Sequence, residues 1–293
     1  MGSTMNIIDL FSQNKLIQDW QAHVSQLERQ LIMGLSGSSR ALAIASAYQA
    51  NKGKYVVITS TQNEVEKLAS DLSSLIGEEQ VYTFFADDVA AAEFIFSSMD
   101  KVNSRLGSLN FLQNAEQTGV LVTSLMGTRV LLPNPATYAH NQLHFELGHS
   151  YELDDVVKTL ALLGYQRANQ VLNPGEFSQR GDIIDIYEIT ADRPYRLEFF
   201  GDEIDGIRQF EVSSQKSVDT LSHVTIFPAD DLLLYEEDFA RATKSLEKYL
   251  ETAKEEQHAY LSEVYKSTKA GYKHADIRRF ASIFYAKEWT LLD

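Results

Sequence analysis

Over the first third of the chain, short continuous apolar runs alternate with segments of helical period. Gln30 to Leu35 (QLIMGL) predicts a buried strand running into a glycine-serine turn. The alanine-rich stretch Arg40 to Gln49 predicts a helix, with Gly53 as its stop. Tyr55 to Thr59 (YVVIT) predicts a strand of β-branched residues. From Thr61 to Leu75 the apolar positions Val65, Leu68, Leu72 and Leu75 share one helical face, and Glu64 three residues after Thr61 fits a capping box. Val81 to Phe85 and Gly119 to Leu125 predict two more strands, with a helical pattern around Val102 to Leu112 between them. Apolar strands separated by helices predict a parallel sheet covered on both faces.

The pattern changes at Pro133 and Pro135, which break the chain and predict a domain boundary. A short segment His144 to Leu147 and a helix from Leu153 to Leu163 come next. Ile183 to Tyr187 and Tyr195 to Phe200 alternate partly between apolar and polar residues, as antiparallel strands do, and Gly201-Asp202 and Gly206 are turn signals. A strand at Val224 to Phe227 precedes one long polar helix over Glu236 to Tyr265, with a sparse stripe of Leu246, Leu250 and Leu261. The fold class expected is α/β. A parallel-sheet domain over residues 5–132 carries an inserted small α+β domain over 133–212. A helical segment over 213–293 follows, truncated from something longer. Met1 to Thr4 ahead of Met5 reads as a cloning scar.

Composition narrows the function. The chain has 293 residues, 44% of them hydrophobic, enough for real cores. With no cysteine it has no disulfide framework, thiolate zinc site or cysteine nucleophile. No apolar run approaches the roughly 18 residues of a spanning helix. The net charge of −15 disfavours general binding to nucleic acid or anionic membrane. That charge is uneven: −8 over residues 131–212 against −4 before and −3 after. Arginines in the middle third therefore stand out.

Gly34-Leu35-Ser36-Gly37-Ser38-Ser39-Arg40-Ala41 follows the first expected strand and opens a helix, where a phosphate-binding loop belongs. The working motif is G-x-x-x-x-G-K-[ST]. Gly34 fits the first glycine and Gly37 lies within the loop, but Ser39 replaces the second glycine, Arg40 the lysine and Ala41 the magnesium-holding hydroxyl. Ser39 adds a Cβ to the backbone cradle. Arginine keeps charge without the compact ammonium geometry. Alanine cannot hold a metal. A fossil loop kept for its fold is expected rather than an ATPase.

Residues 164–210 read GYQRANQVLNPGEFSQRGDIIDIYEITADRPYRLEFFGDEIDGIRQF. The succession G-Y-x-R, G-E-F, R-G-D-I-I-D-I and Y-R-L-E-F-F-G-D-E-I-D resembles the UvrA-binding domain shared by UvrB and the bacterial transcription-repair coupling factor (Mfd). The degenerate loop points to the coupling-factor branch, since UvrB carries an intact one. So does the stretch after Phe85, which lacks the tyrosine-rich hairpin that UvrB uses to probe damage. The resemblance covers residues 6–293 and makes the first domain P-loop NTPase-like but degenerate. It implies a non-enzymatic module that recruits UvrA to lesion-stalled RNA polymerase for nucleotide excision repair. The parent protein would be a cytoplasmic ATP-dependent DNA translocase, with ATP and Mg²⁺ in its motor. RNA polymerase and DNA would be contacted by domains beyond this chain. The parent's C-terminal domain would mask the UvrA surface until the motor engages. No cofactor and no membrane are expected for this segment. A UvrB-like, ATP-binding damage-verification module is the alternative.

The residues that the resemblance assigns to UvrA contact are Arg167, Arg180 and Arg196, with Glu198 beside the last. Independently of it, Arg196, Glu198 and Phe200 alternate along one expected strand and so share a face, while Leu197 and Phe199 turn the other way. Arg180 and Arg167 could approach them from neighbouring strands, with Phe177 as an aromatic anchor. Such guanidiniums suit carboxylates on a partner. The bland reading of the same residues is a salt-bridge ladder with Glu176, Asp182, Asp185 and Glu198, worth about 0–1 kcal/mol per exposed pair. His140, His144 and His149 lack the helical context for zinc. Asp230-Asp231 and Glu236 to Asp238 read as acidic capping of the long helix.

Overall fold

The computed structural model describes residues 6–24, 26, 29–86 and 99–293. The readings made on residues 1–5 and on the missing hairpin at 87–98 lie outside them. Two compact units are present: residues 1–86 with 107–129, and residues 87–106 with 130–293.

In the first unit, α1 (Ile7–Ser12) and α2 (Lys15–Val24) lead to α3 (Ser39–Ala50), β1 (Lys54–Thr59), α4 (Gln62–Ile76) and β2 (Val81–Phe84). Helix α5 (Met99–Gln113), whose residues 99–106 belong to the second unit, and β3 (Gly119–Ser124) complete the run. The sheet is parallel, in the order β1-β3-β2. Helix α4 buries Val65, Ala69 and Leu72 against Ala41, Ala45 and Tyr48 of α3 and Val120 and Val122 of β3. Thr61 caps α4 through the Glu64 amide, but the Glu64 carboxylate accepts from Ser60 N and Oγ, so the box is not closed at Thr61.

Two expectations fail here. Residues 30–35 form no strand, and Leu31 and Met33 are more than four-fifths exposed. An apolar run becomes a strand only where a neighbour completes its ladder. Gly34, at φ +86°, turns the backbone aside. Nor is β1 covered on both faces: Val56 and Ile58 stay exposed while Tyr55 and Val57 pack inward.

The second unit, which includes residues 99–106 of α5, continues with α6 (Pro135–His140), where Pro133 and Pro135 predict a break. Asn134 caps it and Pro135 fills the first turn, whose amide needs no partner. Strand β4 (Leu143–Glu146) and α7 (Leu153–Leu162) precede β5 (Gln166–Arg167), β6 (Glu176–Arg180), β7 (Ile183–Ile186), β8 (Tyr195–Phe200), β9 (Glu203–Phe210) and β10 (Ser217–Leu221). The last six make one sheet in the reverse of chain order, antiparallel except for the parallel β5–β6 pair. It runs past residue 212, through β10. Strand β11 (His223–Ile226) returns to pair with β4.

The expected single helix after residue 235 is two, α8 (Glu236–Thr252) and α9 (Glu255–Lys269), followed by α10 (Ala281–Phe284). Ala253 and Lys254 are extended and break the helical hydrogen bonding. The break lets the two halves pack on each other, and Tyr265 donates to Glu247 across them at 2.9 Å. The acidic first turn of α8 does cap, through Asp238 Oδ2 accepting from Tyr235 N. Asp230 and Asp231 do not. Asp231, 1% exposed, accepts from Arg105 Nε at 2.5 Å and from Arg278, while Asp230 takes Arg278 at 3.0 Å and Lys273 at 2.5 Å. Burial alone would push the Asp231 carboxyl up. The Arg278 and Arg105 guanidiniums outweigh it and hold that group well below the usual carboxylate range.

Candidate functional site

The register of the six-stranded sheet sorts the candidate residues. Ser178, Asp185, Arg196 and Arg208 sit opposite one another across β6, β7, β8 and β9, with Arg180, Ile183, Glu198 and Gly206 in the next row. Residues paired this way share a face. The other face carries Phe177, Ile184, Ile186, Leu197 and Ile207, each at most 1% exposed, and is the core. The predicted alternation along β8 holds: Leu197 and Phe199 are buried, while Arg196, Glu198 and Phe200 point away from them.

Asp185 organises the polar face. It is 1% exposed and receives Arg180 Nη2 at 2.8 Å, Arg196 Nε at 2.7 Å and Arg196 Nη2 at 2.9 Å. The Arg196 guanidinium also lies 4.5 Å from the centre of the Phe210 ring and donates to Gln215 at 3.3 Å. Its side chain is 16% exposed, against 51% for Arg180. Arg196 is thus a pillar of the face, and Arg180 the cation it presents. Arg208 pairs with Glu198 at 3.1 Å, and both remain partly exposed. Gly206 makes room for that pair, because a Cβ there would meet Glu198 Oε2 at 2.7 Å.

Two assignments need correcting. Phe177 is 1% exposed, so it packs the core face and presents nothing to a partner. Arg167 is exposed on the edge strand β5, three strands away from Arg196, and donates to Gln179 at 3.1 Å. Gln179 belongs to the opposite side-chain set from Arg180, so Arg167 does not join the Arg180–Asp185–Arg196 group. Sequence reasoning named Asp185 only as a bland salt-bridge partner and passed over Arg208. The alternation of Arg208 with Phe210 along IRQF was the signal for the latter.

The loop resembling a phosphate cradle is folded onto itself. Gly34 and Gly37 both have positive φ, as such a turn requires. Yet the Ser36 amide donates to Ser39 Oγ at 2.8 Å, and that hydroxyl donates back to Ser36 O at 2.7 Å. Ala41 is fully buried in the core at the position where a magnesium-holding hydroxyl would stand. Arg40 leans towards Glu64 at 4.0 Å. The cavity beside the loop is about 40 Å³ and carries Glu64 and Asp71, whereas ligand sites hold about 300–1,000 Å³. These residues do not fit a magnesium nucleotide. The three histidines are held apart, with His140 Nδ1 2.6 Å from Ala136 O and His144 Nδ1 3.0 Å from Thr225 Oγ1 on a different element.

The sheet thus has one core face and one face that carries Arg180, Arg196 and Arg208. Residues 143–232 match the UvrB interaction domain family. Over about nine-tenths of its length the chain is similar to the transcription-repair-coupling factor of Bacillus subtilis, at 32% identity over 91% of this chain and 23% of that protein. It is likewise 30% identical to those of Staphylococcus epidermidis (91% and 23%) and Staphylococcus aureus (90% and 23%). The chain spans 23% of the length of these relatives. Its likeness is thus to proteins of transcription-coupled DNA repair. No helix among the described residues is long and apolar enough to cross a membrane.

Proposed function

We propose that this chain is the module through which a transcription-repair coupling factor recruits UvrA to RNA polymerase stalled at a lesion. The observation that carries the reading is Arg180, a half-exposed guanidinium aimed by a buried carboxylate on a face whose reverse side is core. Arg180 uses one donor on Asp185, and an arginine has five. The remainder suit a carboxylate on UvrA. Arg180→Ala leaves Asp185 with both Arg196 bonds, so it should weaken a UvrA pull-down while the protein stays folded with only a modest fall in melting temperature. Undiminished capture of UvrA would remove the reading. Arg196→Ala is the poorer test, because Asp185 and Phe210 both lose the group that covers them.

In this reading residues 5–132 are a degenerate NTPase-like domain, 133–212 the UvrA-binding domain and 213–293 a UvrB domain 1b-like segment. The polymerase contact, the ATP-driven translocase and the masking C-terminal domain belong to the rest of the parent protein, which would work in the bacterial cytoplasm. The loop at Gly34 to Ala41 serves folding rather than nucleotide chemistry. Titration of the chain with Mg-ATP in a calorimeter should give no saturable heat. A saturating isotherm lost in Arg40→Ala would favour the UvrB-like verification module instead.

A further inference from the structure

We propose that Gln215 is a positioning residue of this docking face, holding the Arg196 guanidinium so that its Nη1 is left for a carboxylate on the partner. The inference rests on the UvrA reading and concerns how that face is aimed. Gln215 lies in the loop between β9 and β10 at φ +56°, the sole non-glycine residue among those described whose φ is positive. This left-handed region is strained for a long side chain, whereas glycine adopts it freely and asparagine readily. The backbone is fixed there, because Gln215 N donates to Glu211 O at 2.7 Å and Glu211 N to Lys216 O at 2.9 Å. Conformation alone would favour a smaller residue, so the reason for a glutamine has to be sought in its side chain.

That side chain makes two bonds. Gln215 Nε2 donates to Val212 O at 2.9 Å, tying the loop to itself, and Oε1 accepts from Arg196 Nη2 at 3.3 Å. Arg196 is thereby enclosed: Nε and Nη2 bond Asp185, the guanidinium lies on the Phe210 ring, and Gln215 takes the second Nη2 hydrogen. Three of the five guanidinium donors are then used, and Nη1 makes no hydrogen bond among the described residues. The charges point the same way. Arg180 and Arg196 share the one carboxylate of Asp185, while Arg208 is matched by Glu198, so two cations stand against one anion in the Asp185 cluster. Gln215 fixes Arg196 with a neutral oxygen, and the surplus positive charge stays available to an anion on the partner. A guanidinium already held in place has little rotamer freedom to lose when it docks.

The test measures UvrA affinity and melting temperature for the chain and for Gln215→Gly, Gln215→Asn, Ser213→Ala and Arg180→Ala. Glycine and asparagine both accept a positive φ, but glycine has no side chain and asparagine is one methylene short of Arg196. Both variants should bind UvrA about fivefold more weakly or worse, the effect of one lost hydrogen bond to a charged group, with melting temperatures no lower than the parent's. Ser213 is exposed in the same loop, and Ser213→Ala should bind as the parent chain does. If either Gln215 variant binds as the parent while Arg180→Ala binds weakly, this inference alone is overturned. A binding loss matched by a lower melting temperature would also overturn it, by making Gln215 a brace of the hairpin. So would an equal loss in Ser213→Ala, which would make the loop itself the contact. A parent chain that fails to bind UvrA would remove both this inference and the reading beneath it.

Discussion

Arg105→Ala should destabilise the second unit by about 3–5 kcal/mol, a large part of what holds a domain of this size together. Arg105 is 0% exposed and its Nε bonds Asp231, itself 1% exposed. Truncating it leaves a carboxylate inside the protein with less than its full set of cations. The remaining guanidinium, Arg278, is already shared with Asp230. Urea unfolding followed by circular dichroism should show a clearly lower midpoint. Joint replacement by Arg105→Met and Asp231→Leu should lose less, because no ion is then stranded. The pH dependence has a definite sign. The folded-state pKa of Asp231 lies below its unfolded value, so this pair's contribution is complete above about pH 4 and fades as pH falls towards the folded value. With Arg105 gone the acid side of the stability curve should flatten. A variant with the parent's urea midpoint would show that burial of this pair contributes nothing net.

Asp185→Ala is the second large effect, expected to combine a stability loss of about 2–4 kcal/mol with loss of UvrA capture. Three charge-assisted hydrogen bonds end on this one carboxylate. Arg196 is mostly buried and would be left facing Phe210 and Gln215 without a counter-ion, while Arg180 can rehydrate. The contrast with Arg180→Ala separates support from contact: one variant should shift the urea midpoint and the pull-down together, the other the pull-down alone. If Asp185→Ala keeps full UvrA affinity at a temperature where it is folded, the carboxylate does not aim the docking cation.

Local pattern carried much of this fold. The spacing of Val65, Leu68 and Leu72 set α4, and the alternation at Arg196, Leu197, Glu198, Phe199 and Phe200 set the two faces of β8. Where the reading went astray, the deciding partner was far along the chain. Leu31 to Met33 has the composition of a strand but finds no ladder among the described residues. Asp231 looked like a cap because its true partner, Arg105, lies 126 residues earlier. Phe177 was credited to the surface because residue type alone does not say which side of β6 is covered, although its parity with Gln179 rather than Arg180 held the answer. Arg167, Arg180 and Arg196 could be named from their motif, yet only the register separates the edge residue from the pillar and the presented cation.

The self-bonded loop resists conversion to a nucleotide site. A single substitution at position 40 would introduce a lysine but leave the Ser36 amide engaged by Ser39 and a methyl group packed in the core at Ala41. A threonine at 41 would bring a hydroxyl into apolar packing before any nucleotide could reward it. Each of these steps is unfavourable on its own, so no single substitution turns this loop into a phosphate cradle.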